Sequence, residues 1–288
     1  MSRIIITGAT SGIGRALSIE LARQGSELVL LSRNGKKGNK VARLCESLHP
    51  ATKASFIPVD LSSQESVGKG VQAICERFDR IDILINNAGA RFDKYQESPD
   101  GIELTFATNH LGPFQLTLGL IDLLRKAPPG VVVNISSITR KQAVNEPNWL
   151  LHRDPYNSRQ AYAKSKLANA LFTAELSKIY PSSELIAVSI DPGIVATRFA
   201  LNNGIVAWLK HNLYHLKKGD LTRPRSVATT IVKLLSHDRL AEFNGGAFYR
   251  NSVVESREDL DPALSGSLWK SSIEILEKNR SITQIGRN

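Results

Sequence analysis

The feature that most limits what this chain can fold into is a glycine-rich turn near its start, between a short apolar run and an amphipathic stretch. Arg3-Ile4-Ile5-Ile6 reads as a buried strand, and Thr7-Gly8-Ala9-Thr10-Ser11-Gly12-Ile13-Gly14 follows it directly into helical periodicity. Glycines at these positions permit a tight turn. They also let backbone N–H groups approach a pyrophosphate at the helix N-terminus, with Thr7, Gly8, Thr10, Ser11, Gly12, Ile13 and Gly14 as the candidate contacts. A glycine-rich turn alone is weak evidence. Its place between strand and helix, at the head of a βαβ unit, argues against a purely structural turn.

The same unit then repeats. Strands are expected at about 3–7, 27–32, 54–59, 82–86, 130–136, 184–190 and 246–249. Helices are expected at about 13–24, 36–48, 63–79, 100–126 (broken near Gly112-Pro113), 159–180, 224–236 and 262–278. Buried strands alternating with amphipathic helices imply an α/β fold: a doubly wound parallel sheet of about seven strands, with helices on both faces and ligands beyond the strands' carboxyl ends. The 288 residues fit one domain over 1–288. Two long irregular stretches, about 139–158 and 194–222, read as walls of a substrate pocket together with residues near Arg91-Phe92. Ile205, Trp208 and Leu209 in the second stretch suggest a hydrophobic small molecule, although an amphipathic helix buried for stability has the same pattern.

Several residues fall where such a sheet presents its ligand. The second strand ends in Ser32-Arg33, with no carboxylate to hold ribose hydroxyls or repel a 2′-phosphate. Arg33 offers a fork that matches phosphate, so NADP(H) is favoured over NAD(H). Asp60-Leu61, after the third strand, can meet an adenine amino group, although Asp60 would serve equally as the cap of the next helix. Asn86-Asn87-Ala88-Gly89 follows the fourth strand, and Asn87, Ala88 and Gly89 are small enough to bring backbone close to a cofactor. Asp191-Pro192-Gly193 follows the sixth; Pro192 and Gly193 would lie along a nicotinamide face and Thr197 would reach its carboxamide.

The reacting groups are read from Tyr162-Ala163-Lys164-Ser165-Lys166. Residues four apart share a helix face, so Tyr162 and Lys166 can reach one group. A tyrosine has a reference pKa near ~10, and an ammonium close by stabilises its phenolate. Ser137, closing the run Val131-Val132-Val133-Asn134-Ile135-Ser136, can hydrogen-bond the oxygen that gains or loses the proton. A Tyr and a Lys at this spacing are also common as ordinary helix residues, so the context carries the argument.

Together these motifs resemble the short-chain dehydrogenase/reductase family over nearly the whole chain, and within it the retinol dehydrogenase-like and WW-domain oxidoreductase-like branch. The branch resemblance rests on Thr108-Asn109-His110-Leu111-Gly112, Val133-Asn134-Ile135-Ser136-Ser137, Ala161-Tyr162-Ala163-Lys164-Ser165-Lys166-Leu167-Ala168-Asn169 and Leu268-Trp269-Lys270-Ser271-Ser272. The resemblance implies a Rossmann fold and a tetrad of Asn109, Ser137, Tyr162 and Lys166. It implies hydride transfer between the nicotinamide and a carbonyl or alcohol. Tyr162 would be the general acid/base and Lys166 would hold the nicotinamide ribose. Ser137 would orient the carbonyl and Asn109 would support a water, with Ser136 structural. Reduction of a conjugated C=C bond and a non-catalytic NADP-binding sensor are the alternatives.

Composition sets the remaining expectations. Net charge is +10, but the basic residues are scattered and aromatics make up 6%, so no nucleic-acid partner is expected. Cys45 and Cys75 match neither a metal site nor a disulfide framework, and no metal is expected. No apolar stretch approaches the ~20 residues of a membrane span. A strand from Arg3 leaves no room for a signal peptide, so a cytoplasmic protein acting on a small molecule is expected. The helices near 100–126 and 159–180 are long enough to pair in a homodimer or homotetramer, with a monomer equally open.

Overall fold

The computed structural model describes residues 1–127, 129–144, 148–195, 203–204, 213, 216, 221–238, 240–249, 253–255 and 260–285. Its centre is a sheet whose first seven strands are β1 (Arg3–Thr7), β2 (Glu27–Ser32), β3 (Lys53–Pro58), β4 (Ile83–Asn86), β5 (Gly130–Ile135), β6 (Leu185–Asp191) and β7 (Ala247–Tyr249). These run parallel in the order β3-β2-β1-β4-β5-β6-β7. An eighth strand, β8 (Val253–Glu255), pairs antiparallel with β7. The sequence reading misses it because three residues at a sheet edge give no periodicity to read.

Strand alternation sorts the core onto two faces. Ile4, Ile6, Leu28 and Leu30 pack with Leu17 of α1 (Gly12–Ala22), Val41 of α2 (Gly35–Glu46) and Val227 and Ile231 of a late helix, Pro224–Leu235. Ile5, Val29, Leu84 and Val132 point the other way, onto Ile74 of α3 (Gln64–Arg77) and onto Phe114 and Phe172. Ile5, Val29 and Leu84 are fully buried. Each such side chain contributes ~1.5–3 kcal/mol of transfer free energy. Strands buried on both faces therefore read as continuous apolar runs.

Elements β1, β4, β5 and β6 carry their carboxyl ends to one edge, and the strand order reverses between β1 and β4. That switch point is where an open α/β sheet leaves a crevice. Over its far side run α4 (Leu104–Phe106), a π turn (Ala107–Leu111) and α5 (Gly112–Gly119), then α6 (Ile121–Arg125). The expected break near Gly112-Pro113 is present as this π turn, in which the Gly112 N–H bonds the Ala107 carbonyl. Pro113 has no N–H to give the Asn109 carbonyl, which disfavours a regular turn there. The expected start at 100 moves to Leu104, where buried Glu103 caps the helix by accepting from the Thr105 and Phe106 N–H groups at 2.9 and 2.8 Å.

The chain closes with α7 (Ser158–Ile179) crossing the sheet, α8 (the helix Pro224–Leu235) and α9 (Pro262–Ile285). The last helix extends past the expected end at 278.

Candidate active site

One cavity of about 1360 Å³ follows the carboxyl edge of the sheet, from Arg33 beside β2 to Tyr162 and Arg159 on α7. Its floor is the first turn of the fold. The Thr7 hydroxyl accepts the Asn87 and Ala88 N–H groups at 2.9 and 3.0 Å, and the Asn87 side-chain amide donates to the Thr7 carbonyl at 2.8 Å. Thr7 and Asn87 thus clamp two cavity-lining loops to each other. Gly8 sits at φ +67°, which side chains rarely adopt. A Cβ at Gly14 would lie 2.5 Å from the Gly8 carbonyl oxygen, so only glycine lets α1 start this close to β1. Ser11 caps α1 with no side-chain hydrogen bond, and the first turn carries no acid. The N–H groups of that turn, beside Thr10, Gly12 and Ile13, therefore meet no competing carboxylate from the helix itself.

At the β2 end Arg33 is exposed at the cavity rim. Asn34 caps α2 by accepting from the Lys37 N–H at 2.9 Å, which leaves the Lys37 side chain lining the same end. Lys37 was not among the expected contacts; a basic residue in the first turn after β2 was its only signal. Asp60 accepts from the Ser62 N–H and hydroxyl at 3.0 and 2.8 Å. Ser63, accepting from the Ser66 N–H at 3.3 Å, is the cap of α3, so the capping alternative for Asp60 is corrected. Leu61 lines the wall beside Asp60.

At the other end the tetrad residues come together. Ser137 follows β5 and accepts from the Thr139 N–H at 3.3 Å while its hydroxyl hydrogen-bonds the Tyr162 phenol. Tyr162 is half-buried on α7. Lys166, one turn on, is buried; its Nζ donates to the Ile135 carbonyl at 2.8 Å and lies 5.7 Å from the Tyr162 ring centroid. Ser136 donates its hydroxyl to the Lys166 carbonyl at 2.8 Å, fixing β5 to α7. Fully buried Asn109, in the π turn, trades hydrogen bonds with the Ala90 backbone at 2.8 and 2.9 Å and donates to Ser165 at 2.9 Å. It holds the loop after Gly89 against α7. A Cβ at Gly89 would lie 3.3 Å from the Lys166 Nζ.

Burial and charge set the titration of this cluster. Burial pushes the Tyr162 phenol above its ordinary range and the buried Asp191 carboxylate adds to that, while Ser137 and then Arg91 pull it down. The sequence reading gives that downward pull to Lys166; here its ammonium turns to the Ile135 carbonyl instead. Burial lowers Lys166 to about 8, against the opposing pull of Asp191. Burial also raises Asp191, which accepts from the Gly193 N–H at 2.9 Å.

Pro192 and Gly193 line the cavity after β6, and Thr197 lies outside the described residues, as does most of 194–222. Within 139–158 the described part is tied down rather than draped. Trp149 is buried among Phe106, Leu171 and Leu268. Lys164 donates to the Asn148 carbonyl at 3.0 Å, and the Tyr156 hydroxyl lies 3.1 Å from the Phe92 carbonyl and 2.9 Å from a Glu103 oxygen. Thr108 and Arg159 also line the cavity without having been expected there. Arg159 sits one turn before Tyr162, a spacing that marks it in retrospect. Among the described residues no cluster of His, Cys, Asp or Glu could hold a metal, and no helix is long and apolar enough to cross a membrane.

The family model described as short chain dehydrogenase matches residues 2–204. "Short-chain dehydrogenase TIC 32 A, chloroplastic" of Brassica napus is 34% identical over 285 residues, covering 95% of this chain and 88% of that protein. Retinol dehydrogenase 11 of Homo sapiens is 28% identical, covering 95% of this chain and 85% of its own length. Among solved structures, L-sorbose reductase from Gluconobacter frateurii, complexed with NADPH and L-sorbose, superposes with a TM-score of 0.70 at 20% identity, over 87% of this chain and 95% of that one. With that family match and those full-length relatives beside this crevice, the chain belongs to the short-chain dehydrogenase/reductase family, in its retinol dehydrogenase-like branch.

Proposed function

We propose that this protein is an NADP(H)-dependent oxidoreductase that interconverts a carbonyl compound and its alcohol, with Tyr162 as the general acid/base. The observation that carries the reading is the Tyr162 phenol bonded to Ser137 at the cavity wall, with the Lys166 ammonium one helical turn away. The residues present fit a dinucleotide. A Cβ at Gly14 would fill the cradle between α1 and β1, and the first turn of α1 offers donors with no acid beside them. Arg33 and Lys37, with no carboxylate at the end of β2, suit a 2′-phosphate. The NADPH in the structurally similar sorbose reductase is consistent with that choice.

A bound nicotinamide would supply or accept the hydride. Ser137 orients the carbonyl oxygen, and Tyr162 gives that oxygen a proton in reduction and takes it back in oxidation. Lys166, lowered to about 8 by burial, can exchange a proton near neutral pH, while its ammonium is held on the Ile135 carbonyl. Asn109, in the π turn, holds the loop that keeps Gly89 against the Lys166 amine. Its helix also offers backbone carbonyls for a relaying water. From the two stretches expected to wall a substrate, Thr139, Ile194 and Val195 line the cavity among the described residues.

Two measurements test this. Tyr162→Phe should leave NADPH affinity near that of the unaltered protein while turnover of a reducible aldehyde falls ~10²–10⁴-fold. Near-normal turnover would remove Tyr162 from the reaction. Arg33→Ala should raise the KM for NADPH by ~10-fold and leave that for NADH almost unchanged, because only NADPH carries the extra phosphate. Equal effects would end the selectivity argument.

A further inference from the structure

We propose that the substrate carries an oxyanion, a carboxylate or phosphate, held by Arg91 and Arg159 at the Tyr162 end of the cavity. This deepens the function proposed above and rests on its placing the reaction at Tyr162. The cavity's lining holds two basic clusters. One, Arg33 and Lys37, lies beside β2 and is spoken for by the dinucleotide. The other pair, Arg91 and Arg159, comes from the loop after β4 and the first turn of α7, away from the β2 end.

Arg91 directly follows the Asn87–Ala90 loop that Asn109 and Thr7 hold in place, so its backbone is anchored beside Tyr162. Its charge reaches the phenol, which it pulls downward. Its guanidinium stays at the cavity, with a side chain 30% exposed and an Asp93 oxygen 3.3 Å away at a partly exposed carboxylate. A ligand oxyanion can exchange with that surface carboxylate. Arg159 stands one turn before Tyr162 on α7, exposed, with its own N–H taken by the Asn157 cap at 3.0 Å. Among the described lining residues the one carboxylate is Asp60, beside β3 at the opposite end of the sheet order. A neutral apolar substrate would find no use for two guanidinium groups here. An oxyanion would gain a fork from either arginine, and Arg geometry suits both carboxylate and phosphate.

The test uses the full chain saturated with NADP⁺, which occupies the Arg33 and Lys37 cluster. Binding of benzoate, phenyl phosphate and neutral benzamide is measured by calorimetry. At least one anion should bind ~10-fold or more tighter than benzamide, the scale of one charge-assisted hydrogen bond. R91Q and R159Q should each erase most of that ratio while benzamide binding stays constant; the identity of the better anion separates carboxylate from phosphate. Equal binding of all three probes, no anion binding, or a ratio unmoved in both variants overturns the inference. A matched turnover pair, 4-carboxybenzaldehyde and its methyl ester, distinguishes the two proposals. Anion binding through these arginines with neither aldehyde reduced would sink the function and keep the oxyanion site. Reduction of both aldehydes with equal kcat/KM would do the reverse.

Discussion

At the scale of single residues, the proposed reacting pair, Tyr162 and Lys166, feels a third group that the Tyr–Lys motif does not include. Asp191 ends β6, is buried, and raises both the Tyr162 phenol and the Lys166 ammonium. Burial raises Asp191 itself, and the Gly193 and Ile138 N–H groups, then buried Arg140 and lastly Lys166, pull it down. While ionised, Asp191 therefore favours the protonated form of both members of the pair. Alcohol oxidation needs the phenolate, so its rate falls as pH drops through the phenol's pKa. Asp191→Asn removes the negative charge and lowers that pKa. The acid limb of kcat/KM for alcohol oxidation should move to lower pH, with the change greater in the pH profile than in NADP⁺ affinity. An unmoved limb would show that Asp191 acts only through its hydrogen bond to the Gly193 N–H, which the Asn side chain can still accept.

At the scale of elements, what was legible in the sequence is what one local pattern specifies. The seven parallel strands follow from apolar runs, and α1, α2, α3 and α7 lie within about two residues of their expected bounds because caps and periodicity agree there. The Tyr162–Lys166–Ser137 arrangement was readable for the same reason: one helix face and one strand end suffice. Features made by partners distant in sequence were not readable. That Thr7 and Asn87 clamp each other depends on β1 and β4 being neighbours, which the sheet order decides. Arg159 and Thr108 become cavity residues only when α7 and the π turn converge on one edge. The π turn falls where Pro113 follows Gly112, and the sequence marks the break but not its form. Lys166 was expected to serve Tyr162 and the nicotinamide ribose; its bond to the Ile135 carbonyl needs β5 beneath α7.

At the scale of the whole molecule, the last helix is tied to the active-site scaffold through a buried imidazole. His110, adjacent to Asn109 in the π turn, is fully buried and its Nε2 lies 2.9 Å from the Ser272 hydroxyl of α9. Rings of Phe106, Phe114 and Phe172 surround it at centroid distances of 5.1, 5.7 and 6.1 Å. Further along α7, Ser265 of α9 donates to Glu175 at 2.7 Å and accepts from Lys178 at 2.6 Å. The last helix lies beyond the 2–204 that the family model matches, yet its Leu264 and Leu268 pack with Leu167 and Leu171 of the helix that carries Tyr162. Burial drives His110 down to about 3, with Asn169 opposing, so the folded protein keeps it neutral. In the unfolded chain it protonates near its reference value of ~6.5. Between those two values the unfolded state binds a proton that the native state refuses, so stability falls as pH drops from about 6.5 toward 3. The loss from this group is at most ~1.4 kcal/mol per pH unit and fades near and below the folded value. His110→Gln can keep a hydrogen bond to Ser272 but does not titrate. Urea unfolding followed from pH 7 to pH 4.5 should therefore give a shallower decline for the variant, by about one proton's worth of slope near pH 5. If the two proteins lose stability in parallel over that range, the imidazole is protonated in the native state and the contact joining α9 to the π turn is not the neutral one described above.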